Sequence, residues 1–242
     1  MCTVTYIPKG DNEFILTQNR DESPNRSAHN LVKVNRNGKE ILFPQDTGAG
    51  GTWIAISDSN QLVSILNGAY SKHKHLPPYP KSRGIMALEF FDFSNAEQFF
   101  RTFDFEGMEP FTMLIFDDGK LFDFRWDGQY KFIEELENNR THIWASSTLY
   151  TKEAKKKRKK WFEEWKKNRT DFSQSAILNF HRTAGDGDPE NDIVMNRSNR
   201  VRTTSITSII KSKSKSELYF SDLLTKKELE DSISLKEISK LD

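Results

Sequence analysis

Four layers, with two stacked and mainly antiparallel sheets between helical layers, is the α/β fold that this sequence predicts. Three observations lead to it. Segments of strand composition carry apolar residues on both parities, Val4 and Tyr6 but also Ile7, Phe14 and Leu16 but also Ile15, as strands covered on both faces do. Helical stretches arrive in pairs. Along the chain the order is strands, a helix pair, strands, a helix pair and strands, and such elements stack in layers. Composition alone leaves a two-layer α+β domain open.

The elements follow from local chemistry. Thr3 to Ile7 is β-branched and aromatic, the turn residues Pro8 to Asn12 follow, and Glu13 to Gln18 completes a hairpin. A glycine-rich turn, Thr47 to Thr52, leads into a strand from Trp53 to Ser57, and Asp58-Ser59-Asn60 returns the chain into Leu62 to Leu66. The prolines of the loop Lys72 to Pro80 remove donors and fix φ. Helices are expected near Arg83 to Phe91 and Ala96 to Phe103, with Ile85, Leu88 and Phe91 at three-residue spacing. Phe111 to Phe116, Leu121 to Trp126 and Tyr130 to Ile133 are joined by Asp-Gly turns and form a meander. A strand from Thr141 to Ser147, a charged helix from Lys152 to Lys167 and a helix from Ser173 to Arg182 come next, ended by Asp186-Gly187-Asp188-Pro189. Thr203 to Ile210 and Glu217 to Phe220 form a last hairpin. Residues 1–222 read as one domain. Residues 223–242 read as a polar tail with some helical character, and residues 19–46 carry no assigned element.

Composition excludes several function classes. The 242 residues are 36% hydrophobic and 12% aromatic with 18 Phe, so the core is built on large rings. With 36 basic against 35 acidic residues and a net charge of +1, a dedicated nucleic-acid binder is not expected. No apolar run is long enough for a transmembrane helix. The N-terminus lacks the basic and apolar regions of a secretory signal, and a cytoplasmic location is expected. The single cysteine precludes an internal disulfide, which fits a reducing compartment.

That cysteine is residue 2, and loss of Met1 makes it the first residue. A free thiol titrates near ~8.5 and an α-amine at ~7.7–8.0. The amine is substantially neutral near neutral pH and can take the thiol proton, directly or through water. Nucleophile and base then share one residue. General-base help of this kind accelerates by roughly 10²–10⁴-fold, and the product is a thioester acyl-enzyme.

Met1-Cys2-Thr3 with Asn19-Arg20-Asp21-Glu22, then Gly50-Gly51-Thr52-Trp53, Asn67 in Leu66-Asn67-Gly68, and Arg202-Thr203-Thr204 together resemble the NRDE family, also called TANGO2-like. The likeness runs to about Phe220. That family is similar to N-terminal-nucleophile (Ntn) hydrolases, and more distantly to choloylglycine hydrolases and penicillin V acylases. The resemblance implies an αββα sandwich with Cys2 as nucleophile. In that frame Asp21 binds the new α-amine, Arg20 lowers the thiol pKa, Asn67 donates to an oxyanion, a role worth about 10²–10³ in rate, and Arg202 supports the surroundings. Asn19, Trp53, Gly68, Ser146 and His181 are the expected substrate contacts. Two departures stand out. The acylases place their arginine where this chain has Gln18, and their second site asparagine where Ala145-Ser146-Ser147-Thr148 runs.

Other features read as structural. Gly48, Gly50 and Gly51 lack the Gly-Lys-Ser/Thr and following helix of a phosphate loop. His73 and His75 have metal-compatible spacing without an accompanying cluster in sequence, so a solvated loop and no metal are expected. Lys155 to Lys160 line the wet side of a helix whose Trp161, Phe162 and Trp165 anchor it, with Ala154 and the Arg158 stem beside them. The functional expectation is a cysteine hydrolase of a linear amide or thioester, with a small-molecule partner and no cofactor. The alternative is a cleft that carries a small ligand, haem or a lipid acyl chain, without catalysis.

Overall fold

A computed structural model describes residues 2–167 and 169–236. Fourteen strands and four helices are present among them. In chain order these are β1 (Cys2–Gly10), β2 (Glu13–Glu22), β3 (Leu31–Arg36), β4 (Lys39–Pro44), β5 (Ile54–Ser57), β6 (Leu62–Asn67), α1 (Arg83–Glu89) and α2 (Ala96–Thr102). There follow β7 (Phe111–Asp117), β8 (Lys120–Trp126), β9 (Lys131–Leu136), β10 (His142–Ala145), α3 (Lys152–Lys167) and α4 (Gln174–Thr183). The chain continues through β11 (Asn196–Arg197), β12 (Val201–Lys211), β13 (Lys215–Asp222) and β14 (Glu228–Ser234).

All strand pairs are antiparallel. One sheet runs β10-β1-β2-β12-β13-β14, with β11 on β12, and the other runs β3 through β9 in sequence order. Cys2, Val4, Tyr6, Phe14 and Leu16 of the first sheet meet Leu42, Ile54, Ile56, Leu114 and Phe116 of the second. The second sheet turns its other face, with Ala55, Val63 and Met113, onto Met86, Phe90 and Phe99 of the α1–α2 region. The first sheet turns Ile7 and Ile15 onto Phe162 of α3 and Ile177 and Phe180 of α4. This is the four-layer arrangement expected from apolar residues on both strand parities, with period two sorting each strand between two cores.

Two segments depart from the sequence reading. The unassigned stretch 19–46 contains the hairpin β3–β4, turned at Asn37-Gly38 with φ of 51° and 78°. Asn-Gly is a strong hairpin signal, because both positions accept positive φ. The expected polar tail contains no helix among its described residues. It supplies β14, an edge strand paired to β13, whose Ile233 is buried between the sheets. Alternation in Glu228-Leu229-Glu230-Asp231-Ser232-Ile233-Ser234 is masked by its charges. No helix among the described residues is long and apolar enough to cross a membrane.

Candidate active site

A cleft of about 300 Å³ opens at the end of the sandwich where β1 starts and β2 and β6 finish. Four of the expected site residues line it, namely Cys2, Arg20, Trp53 and Asn67. The β1–β2 register sets Cys2 opposite Arg20, so both side chains leave the sheet on the same face. Burial pushes the Cys2 thiol up. Asp21 adds to that rise, while a hydrogen bond to Gln18 and the charge of Arg20 oppose it.

Arg20 is itself held on three sides. Its Nη2 donates to Asp46 Oδ2 at 2.8 Å, its Nη1 donates to the Arg26 carbonyl, and the guanidinium lies 4.3 Å from the Trp53 ring. The other Asp46 oxygen accepts the amides of Gly48 and Ala49 at 2.9 and 3.2 Å. The glycine-rich turn thus winds around a carboxylate that pairs with the site arginine. Its glycines also permit close packing. A Cβ on Gly51 would lie 2.4 Å from the Gly84 carbonyl carbon, and Thr52 N donates to Gly84 O at 3.1 Å. The start of α1 is pressed onto the turn, and Ser82, Arg83 and Gly84 form a wall of the cleft.

Asn67 ends β6 on the facing sheet. Among the described residues its side-chain amide makes no hydrogen bond within the protein, and it borders the cleft. Ser146 braces it from behind. Its Oγ donates to the Asn67 carbonyl at 2.8 Å, and its N donates to the Cys2 carbonyl at 3.0 Å. Ser146 therefore ties the two site strands together and is not among the cleft-lining residues, in contrast to the substrate contact expected of it. Gly68 is also behind the wall. Its φ of +80° favours glycine, and a Cβ there would also crowd Thr148 Cγ2 at 2.8 Å.

Asp21 leaves β2 on the opposite face from Arg20. Thr203 Oγ1 donates to its Oδ1 at 2.7 Å and Tyr150 Oη to its Oδ2 at 2.5 Å. Burial raises the Asp21 carboxyl, opposed by the charge of Arg158 and by those two hydroxyls.

Three expected site residues lie elsewhere. Asn19 of β2 and His181 of α4 are fully buried where the helix packs on the sheet. Asn19 Nδ2 donates to the carbonyls of His181 and Ile193 at 3.0 and 3.1 Å, and its Oδ1 accepts from His181 Nδ1. His181 Nε2 then accepts from Thr5 Oγ1 at 2.7 Å. The polar atoms of both side chains are taken up within the protein, so neither has a group to offer a substrate. Arg202 pairs in register with Glu22 and Asn196 and reaches Asn199 Oδ1 at 3.4 Å, outside the cleft. Its neighbour Thr203 makes the contact to the site.

Sequence reading missed Asp46, Tyr150, Arg83 and Glu109. Arg83 Nη2 pairs with Glu109 Oε2 at 2.8 Å at the cleft wall. His73 and His75 reach Glu109 Oε1 at 3.0 and 3.2 Å, so the loop expected to be solvated is partly tied down. No group of His, Cys, Asp and Glu among the described residues has metal-holding geometry. Gln18, in the place of the acylases' arginine, donates to Ile65 O at 2.9 Å and accepts from Ser64 Oγ at 3.0 Å, a neutral link between the sheets.

The sandwich, with a cysteine at the head of its first strand, defines an Ntn-hydrolase fold. Two structures of conjugated bile acid hydrolase from Clostridium perfringens, a Cys-to-Ala mutant and an Arg-to-Leu variant, superpose with TM-scores of 0.52 and 0.51 at 11% identity. The matches cover 98% and 97% of this chain and 97% of each of those chains. The Caenorhabditis elegans orthologue of N-acylethanolamine-hydrolyzing acid amidase is also similar, with a TM-score of 0.48 and 11% identity over 86% of this chain and 92% of that one. The model of the family Transport and Golgi organisation 2 matches residues 1–225, and the chain belongs to that family. No curated protein sequence matches it.

Proposed function

We propose that the protein is a cysteine Ntn hydrolase that cleaves a linear amide or thioester of a small molecule in the cytoplasm. Loss of Met1 frees the α-amine of Cys2, which takes the thiol proton. Sulfur then attacks the substrate carbonyl, the Asn67 amide donates to the oxyanion, and the leaving group departs with the proton from the amine. Water releases the acyl group from the thioester. What carries the reading is that Cys2 with Arg20 and Asn67, from two different sheets, border one cleft.

Intact mass and p-nitrophenyl acetate test it. The purified chain is expected to lack Met1 and to give a burst of p-nitrophenolate that Cys2→Ala abolishes. Retention of Met1 removes the catalytic reading.

A second reading, a cleft that holds a haem or acyl ligand without turnover, is favoured by Ser146. That residue belongs to the stretch Ala145 to Thr148, which the resemblance sets against the acylases' second asparagine, and its hydroxyl donates to the Asn67 carbonyl. Absorbance titration with haem, comparing Cys2→Ala, tests it. No spectral change at micromolar haem excludes haem as the ligand.

A further inference from the structure

Behind Cys2, on the face of the first sheet turned toward α3, lies a dry polar assembly that the proposed reaction does not yet use. Its centre is Asp21. The pairing Cys2–Arg20 sets Asp21 one step further along β2, at the level where the amine of Cys2 begins the strand. Asp21 is fully buried, and each of its oxygens receives one hydroxyl donor, from Thr203 at 2.7 Å and from Tyr150 at 2.5 Å.

Tyr150 is in turn clamped. The Arg158 guanidinium stacks 3.8 Å from the centre of its ring, a geometry in which a desolvated cation is attracted to the aromatic face. Arg158 has no exposure to solvent. It donates to Thr3 Oγ1 at 2.5 Å and to the Asn191 and Asp192 carbonyls at 3.0 and 2.6 Å. It cannot swing away without abandoning these acceptors. Burial holds the Tyr150 phenol well above its ordinary range, so it is a donor at all working pH values. Charged and titratable groups face this assembly from each packed element. They are Arg158 from α3, His181 from α4, Cys2 from β1, and Arg197 of β11 at 5.7 Å from the Tyr150 ring.

We propose that Tyr150, clamped by Arg158, is a positioning residue that fixes the Asp21 carboxylate, in its charged form, against the mature aminothiol of Cys2. The inference rests on the Ntn-hydrolase reading and extends it to a residue outside the cleft. Without the phenol, Asp21 keeps one donor in a dry site and takes a proton more readily. The less of its charge Asp21 keeps, the less it opposes the thiolate, whose formation that charge disfavours. Thiolate is then present at lower pH.

The experiment uses the full chain, whose one cysteine makes labelling unambiguous. Condensation with 2-cyanobenzothiazole reports a free 1,2-aminothiol, and the pH–rate profile of iodoacetamide alkylation reports the thiolate. In Tyr150→Phe, which keeps the ring for Arg158, the midpoint of that profile is expected to move down by about one pH unit. Thr203→Val, which removes the other donor, is expected to move it in the same direction and stands in if the first variant does not fold. An unshifted profile in the folded variants overturns the positioning role while leaving the hydrolase reading intact. Absence of the cyanobenzothiazole adduct in both the native and the denatured unaltered protein, with Met1 retained by intact mass, overturns both, since no free amine of Cys2 is then present to be held.

Discussion

At the scale of single residues, His181 shows how motif and role part company. As a polar residue late in the chain it reads as a pocket contact, yet it projects from the buried face of α4 onto the sheet and is neutral. Burial, with Arg158 nearby, lowers its pKa to about 3. An unfolded histidine titrates near ~6.5. Between those limits the unfolded chain binds a proton that the folded chain does not. Stability from this group is full above about pH 6.5 and is lost as pH falls toward 3, at roughly 1.4 kcal/mol per pH unit. Urea melts across pH 4 to 7 should therefore show a slope that flattens in His181→Gln, and an unchanged slope would place the proton uptake elsewhere. Cys2 and Arg20 were legible because the motif carrying them is local. Asp46 and Tyr150 were not, since each meets its partner across 26 and 129 positions.

At the scale of elements, periodicity revealed most strands and both helix pairs, because each element buries a face set by its own repeat. Arg158 marks the limit of that reading. Spaced four residues from Ala154 and from Phe162, it belongs to the buried face of α3, but a charged side chain there reads as a stem with its head in water. The contact between the glycine turn and α1 was equally hidden, because a glycine's partner leaves no trace in sequence. Gly51→Ala forces backbone apart and should cost about 1–3 kcal/mol, together with faster alkylation of Cys2 as α1 lifts from the cleft wall. Gly50, with positive φ and open space around it, should lose only about 1–2 kcal/mol as Gly50→Ala through backbone strain. Alkylation of Cys2 no faster in Gly51→Ala than in Gly50→Ala would argue against the close approach.

At the scale of the whole molecule, β14 closes one side of the sandwich. It pairs with β13 and bridges to the other sheet through Lys33–Asp231 at 2.7 Å, and just beyond it Lys236 meets Asp58, also at 2.7 Å. Removing residues 226–242 should cost at least about 2 kcal/mol for exposing Ile233 and leave β13 as an unprotected edge open to self-association. Denaturant melts and light scattering would register both effects, and a truncated chain that melts like the full one would show that the closure is dispensable. The αββα order was legible from the alternation of strands and paired helices. The closing strand was not, because an edge strand with one buried side chain leaves a faint apolar signature.

The alternation along β2 has a further consequence. Asn19-Arg20-Asp21-Glu22 are adjacent letters, yet Arg20 and Glu22 border the cleft while Asn19 and Asp21 lie under the helices. The tetrapeptide is two interleaved pairs read from opposite sides of a single ribbon. Inserting one residue ahead of it would exchange the compartments, sending a carboxylate and an amide to the solvent-filled side and two longer charged groups into a dry layer shaped for shorter ones.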